Sequence, residues 1–157
     1  MKRNWKIYLL WIGLSEAVGL LAGLLTREGT ALYAAEAVKP PLSPPGILFP
    51  IVWTILYALM GIGAARVHQS FLSRERGWGL NLFIVQLVMN FFWSLIFFNA
   101  GAYGFALVWL IVLWGLILAM ILVFYRVDRI AALLQIPYFL WVTFAAYLNW
   151  GVWRLNS

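Results

Sequence analysis

A bundle of five membrane-spanning helices is the fold class this sequence predicts, and three observations carry the prediction. Of 157 residues, 65% are hydrophobic and only 10% charged, whereas a soluble domain carries about a quarter charged residues. Mean hydropathy is +0.92. Five apolar stretches, at 5–25, 47–67, 79–99, 104–125 and 131–153, are set apart by polar boundaries; each is about 20 residues long, enough for a helix to cross a hydrocarbon core of about 30 Å. In lipid the backbone must satisfy its own hydrogen bonds, so each stretch reads as a helix. The short alternating segments of a β-barrel do not appear. The whole chain, 1–157, then forms one five-helix domain with a lid loop at about 26–46.

The first helix opens on Met1-Lys2-Arg3-Asn4-Trp5-Lys6, which also resembles a secretory signal. Its apolar run of about 19 residues exceeds the roughly 7–15 of a cleaved signal, and Glu16 sits in its middle. A spanning helix is the reading adopted, with processing near Ala35 or Ala37 as the alternative. Ser15, Gly19 and Gly23 recur at a stride of four, which lets two helices approach closely, inside the bundle or across a dimer. Glu16, the one carboxylate within a predicted span, is a functional candidate or a protonated structural group. No second titratable group inside the spans accompanies it, which weighs against a proton-coupled pump.

The first loop holds KPPLSPPG at 39–46, four of the six prolines in the chain. Proline fixes φ and biases its predecessor to extended geometry, so 39–45 is predicted to be a stiff extended arm. Pro44-Pro45 stand just before the second helix, as suits a helix start. Such an arm serves as a lid over the mouth of a bundle or as a rigid connector.

On the second helix Trp53, Tyr57 and Met60, with Gly61 and Ala64, share a stride. On the third, Gln86, Asn90, Ser94 and Phe97, with Trp93, fall on one face. Amides facing acyl chains are costly, so this face is predicted to look inward, to line a pocket or to join helices. The fourth helix is read from its length alone. On the fifth, Pro137, Trp141, Ala145 and Leu148-Asn149 line up, and Pro137 invites a kink. Aromatic walls with a few polar anchors suit a flat apolar ligand, ring pairs adding about 0.5–1.5 kcal/mol beyond area burial. Trp5, Trp78, Trp150 and Trp153 sit near helix ends as interfacial belt residues; Trp53, Trp93 and Trp141 are the pocket candidates.

The net charge of +6 does not point to nucleic acid, because the cations are spread over membrane-flanking positions. Anchoring to anionic headgroups accounts for them. Lys2, Arg3, Lys6, Arg66, Arg74, Arg76, Arg126 and Arg129 fall on one side of a five-span topology, against Arg27, Lys39 and Arg154 on the other. The N-terminus is therefore expected in the cytoplasm, with the proline loop and C-terminus outside. The chain has no cysteine, and the single histidine, His68, has no partner at metal-ligand spacing, so no metal site is expected. Nucleotide-binding and hydrolase motifs are missing.

The stretch ALYAAEAVKPPLSPPGILFPIVWTILYALMGIGAARV resembles the signature of the TspO/MBR family, the tryptophan-rich sensory proteins that include the mitochondrial translocator protein. Lys39, Pro40, Pro44, Pro45, Pro50, Trp53, Tyr57, Met60 and Gly61 match. QLVMNFFWSLIFF resembles the family's third-helix block through Gln86, Asn90, Trp93, Phe97 and Phe98; PYFLWVTFAAYLNWGVWRLN resembles its last helix through Pro137, Tyr138, Trp141, Ala145, Leu148, Asn149, Trp153, Arg154 and Asn156. The chain departs from the pattern at Leu42, usually aromatic, at Leu32-Tyr33 in place of Trp-Tyr, at Trp109, where many relatives have an aspartate, and at Trp150, where a sterol motif needs tyrosine. No dedicated sterol site is expected.

The resemblance implies a five-helix bundle in a bacterial cell membrane, often a homodimer, that binds protoporphyrin IX or haem, or isoquinoline and benzodiazepine ligands, in a pocket closed by the first loop. It implies a receptor or sensor with no required cofactor, and passage of the ligand as a further use. The ligand-binding set it implies is Trp53, Tyr57, Asn90, Trp93, Trp141, Ala145 and Leu148, under a lid of Lys39, Pro40, Leu42, Pro44 and Pro45. Some bacterial relatives degrade porphyrin in light through tryptophans matching Trp53 and Trp141, so such an enzyme is one alternative. A solidly packed interaction scaffold is another.

Overall fold

The computed structural model describes residues 4–156; Lys2 and Arg3, counted above among the cations, lie outside them. The elements are α1 (Trp5–Leu25), α2 (Arg27–Glu36), α3 (Leu48–His68), α4 (Arg74–Ser94) running into a π-helical segment (Leu95–Asn99), α5 (Tyr103–Val127), α6 (Arg129–Leu134) and α7 (Ile136–Leu155). No strand occurs among the described residues. Five helical spans are long and apolar enough to cross a membrane: Trp5–Leu25, Leu48–His68, Arg74–Asn99, Tyr103–Val127 and Arg129–Leu155.

Two expectations about the first loop need correction. Residues 27–36 form a helix, because Thr30-Ala31-Leu32-Tyr33-Ala34-Ala35-Glu36 contains no breaker and Glu28 sits favourably in the first turn. The arm that follows is not extended throughout. Leu42 takes the left-handed conformation, φ 71°, where Ser43 Oγ donates back to the Pro40 carbonyl at 2.7 Å and closes a turn. The last span is also divided, because Pro137 in the first turn of α7 cannot donate backward and the chain breaks at Gln135.

α1 packs along α3, α4 along α5, and α5 against α6 and α7, while α6 closes onto the end of α3 farthest from the arm. Met60, Phe83, Leu110, Ile117, Met120, Phe124 and Tyr138 are fully buried between them. Close approach is bought at glycines: a Cβ on Gly61 would lie 2.5 Å from Ile12 Cα. The small-residue stride of α1 divides. Ser15 is buried and donates to the Trp11 carbonyl, Gly19 lies against the Tyr57 ring, and Gly23 meets nothing within 4 Å. Its first two members therefore serve the bundle.

On the side away from the arm, polar bonds tie the helix ends together. Trp11 Nε1 donates to His68 Nδ1 at 2.8 Å, and Arg76 donates to the His68 carbonyl through Nε and Nη2. Asp128 accepts from Ile130 N and Ala131 N as the cap of α6 and pairs with Arg66 Nε at 3.0 Å. Asp128→Ala removes a cap and strands a half-buried guanidinium, so it is expected to cost about 1–2 kcal/mol. Asp128→Asn, which can still cap, is expected to lose less. Thermal unfolding in detergent reads the difference, and an unchanged Asp128→Ala midpoint contradicts the role.

Candidate functional site

The inward stripes of α3, α4 and α7 meet in a buried polar string. Tyr57 Oη donates to Asn90 Oδ1 at 3.2 Å, Asn90 Nδ2 donates to Tyr138 Oη at 2.8 Å, and Tyr138 Oη donates to Gln86 Oε1 at 2.7 Å. Three helices are thereby held by four side chains. Gln86 Nε2, also buried, has no acceptor among the described residues. A buried N–H without an acceptor costs about 1–3 kcal/mol.

Aromatic rings cover the arm side of that string. Trp53 stacks on Tyr57 with centroids 5.4 Å apart and meets the edge of Tyr138 at 6.1 Å. Trp141, one turn beyond Tyr138, meets Phe49 at 5.8 Å and Phe144 at 5.7 Å. Trp53 and Trp141 are both half-buried, whereas Ala145 and Leu148 are buried on α7. Rings that are partly open and backed by amides are what a planar ligand needs.

Trp93 belongs to a second aromatic group. It stacks on Phe97 at 5.1 Å and its indole N–H donates to Asn149 Oδ1 at 3.0 Å; Asn149 Nδ2 in turn donates to the Tyr103 carbonyl. Asn90, expected to orient a ligand, already holds two tyrosine hydroxyls and keeps one N–H free of them. Trp109 donates to the Met89 carbonyl at 2.8 Å and so joins α5 to α4. Glu16 is half-buried on α1, the helix that lies along α3.

The arm is docked on α7. Val38 N donates to Asn156 Oδ1 at 2.9 Å and its carbonyl accepts from Asn156 Nδ2 at 2.8 Å. Tyr147 Oη donates to the Pro41 carbonyl at 2.8 Å, and Pro40 is buried where a Cβ on Gly151 would lie 2.5 Å from its ring. Lys39 Nζ donates to the carbonyls of Ala34 and Ala37 at the end of α2 and lies 5.0 Å from the Tyr33 ring centre. Leu42 is 79% exposed, Pro44 is half-buried and Pro45 exposed.

A cleft of about 360 Å³ opens beside α2, lined by Tyr33, Glu36, Phe98, Asn99, Tyr103 and Asn156 among others. It lies apart from Trp53 and Trp141. Gly29 lets α2 lie close against the π-helical segment, since a Cβ there would press on the Phe98 carbonyl. Burial pushes the Tyr33 hydroxyl up to about 12, with Tyr103 adding to the rise, so it stays a neutral donor.

Sequence strides found Trp53, Tyr57, Asn90 and Trp141. They missed Tyr138 as the hub, although it stands three residues before Trp141 on the same helix. They also missed Phe49, although it stands four residues before Trp53 on α3 and so shares its face.

The sequence pattern of the TspO/MBR family matches residues 11–154. The chain is 40% identical over 148 residues to the tryptophan-rich protein TspO of Chlorobaculum tepidum, covering 94% of both chains. It is 32% identical over 156 residues to the tryptophan-rich sensory protein of Cereibacter sphaeroides, covering 99% of this chain and 95% of that one. With the translocator protein of Bos taurus it shares 35% over 141 residues, 88% and 83% of the two chains.

Proposed function

This chain belongs to the TspO/MBR family, as an integral membrane protein of five spans, and from that premise we propose that it binds a flat tetrapyrrole, protoporphyrin IX or haem, between α3, α4 and α7. The observation that carries the reading is the pairing of half-buried indoles, Trp53 and Trp141, with a buried string of hydroxyls and amides that ends in an unpartnered Gln86 N–H. The macrocycle would slide between the indoles, gaining ring contacts and apolar burial. Its carbonyl or carboxylate edge would meet the free amide hydrogens of Asn90 and Gln86, which supply orientation. The use is that of a membrane receptor or sensor, with passage of the ligand as a consequence of binding within the bilayer.

Titration with protoporphyrin IX tests the reading. Micromolar ligand is expected to quench the tryptophan emission of the purified protein. In the Trp53→Phe/Trp141→Phe double variant, loss of about 1.4 kcal/mol of ring contact weakens the affinity about tenfold. Unchanged affinity in that variant removes Trp53 and Trp141 from the site.

The topology proposed with it has the N-terminus in the cytoplasm and the arm outside. Of the described cations, Lys6, Arg66, Arg74, Arg76, Arg126 and Arg129 share the N-terminal side, against Arg27, Lys39 and Arg154. Because the chain has no cysteine, Leu42→Cys introduces one thiol at the exposed tip of the arm. A membrane-impermeant maleimide is expected to label it on intact cells, and labelling only after lysis reverses the topology.

A further inference from the structure

Resting on the ligand assignment above, we propose that the ligand enters sideways from the lipid, through the seam between the arm-side halves of α3 and α7, while the arm stays closed over the aqueous mouth.

The two possible doors are fastened differently. The arm is held to α7 by the two-way pairing of Val38 with Asn156 and by Tyr147 on the Pro41 carbonyl. Pro40 is buried against Gly151, and Asn99 Nδ2 holds the Leu25 carbonyl just ahead of α2. Lifting this roof breaks several hydrogen bonds together. The seam has none of these: α3 and α7 touch over a short stretch, and among the described residues no hydrogen bond joins them. What bridges their arm-side halves is two edge-on ring contacts, Phe49 with Trp141 and Trp53 with Tyr138. Edge contacts between rings re-form after a side-chain rotation, with no polar group left unpaired.

Phe49 stands in the first turn of α3, where Leu48 N donates to the Pro45 carbonyl at 3.0 Å and Phe49 N to the Gly46 carbonyl at 3.4 Å. Ile47 offers no side-chain cap. Pro50, in the first turn, forfeits no intrahelical bond, and the Thr54 hydroxyl donates to the Pro50 carbonyl at 2.7 Å. Ile51 and Ile55 on α3 and Leu140 on α7 expose apolar side chains, so a lipid-dissolved macrocycle approaches across an apolar surface. Phe49 is then the gate and Trp141 the first ring it meets.

Protoporphyrin IX is the probe, followed by stopped-flow tryptophan quenching with the full chain in nanodiscs. Val38→Cys/Asn156→Cys, bridged by a short dithiol-reactive linker in this cysteine-free chain, locks the arm to α7; cleaving the linker makes the same protein its own control. The association rate is expected to stay within twofold of the released form. Phe49→Ala is expected to raise association and dissociation rates together, threefold or more, with the ratio kept within twofold. A locked arm that slows association beyond twofold puts the route under the arm, and Phe49→Ala with wild-type rates removes the gate; either overturns the proposal. Absence of quenching in the wild-type chain is distinct, because it contradicts the ligand assignment and takes the route down with it.

Discussion

Gly61→Leu is expected to destabilise the bundle by about 3 kcal/mol or more, at the upper end of overpacking costs. α1 and α3 form the most extensively packed helix pair, and they meet backbone to side chain at this point. A Cβ on Gly61 would lie 2.5 Å from Ile12 Cα and 2.7 Å from Ile12 N. Those atoms are main chain, so no rotamer change relieves the clash and the helices must separate. Separation also lifts Tyr57 from Gly19, four residues earlier on α3, and with it one end of the polar string. Gly13→Leu, at a site with nothing within 4 Å, is the control and is expected to stay within about 0.5 kcal/mol or gain slightly from helix propensity. Thermal unfolding of both in detergent checks the contrast, and equal midpoints would mean the helices do not meet at Gly61.

Asn90→Leu is expected to cost about 2–3 kcal/mol. Leucine resembles asparagine in shape, so the loss is one of hydrogen bonds, not of packing. The Tyr57 hydroxyl loses its acceptor and the Tyr138 hydroxyl loses a donor. Bonds between membrane helices are worth about 0.6 kcal/mol on average and up to about 1.7 kcal/mol each, and a stranded buried donor costs about 1–3 kcal/mol. The second variant decides the mechanism: Asn90→Leu/Tyr57→Phe removes the stranded hydroxyl as well, so the pair is expected to lose less than the sum of the singles. Additive losses would show that Tyr57 and Asn90 are not coupled. Ligand affinity is expected to fall in Asn90→Leu too, because the string that fixes Tyr57 beneath Trp53 is cut.

The five spans were legible because length and hydropathy are summed over some twenty residues and tolerate local error. α2 was not, because its ten residues are amphipathic and carry Arg27, Glu28 and Glu36, a composition shared by polar loops. The turn at Leu42 was hidden for another reason. Proline sets its own φ and limits its predecessor, yet says nothing of a leucine that follows a pair of prolines. The bond from Ser43 to Pro40 decides that residue.

In the site, a stride of three and four put Trp53, Tyr57 and Asn90 on inward faces, since one helix fixes their relative direction. Which residue of a neighbouring helix each one meets is set by crossing geometry, and a single sequence does not encode that openly. Hence Trp93, on the same face as Asn90, pairs with Asn149, while Tyr138 receives the Asn90 amide. The role of Lys39 was likewise visible only in three dimensions, where it caps α2 over the Tyr33 ring.

The most direct test of the central claim is a structure of the protein with protoporphyrin IX bound in a lipid environment. The account predicts the macrocycle between Trp53 and Trp141, within about 4.5–7 Å of their ring centres, with a polar edge in hydrogen-bond reach of the Asn90 or Gln86 amide. A macrocycle seated in the cleft beside α2, with Trp53 still stacked on Tyr57 and Trp141 still against Phe49, would contradict it.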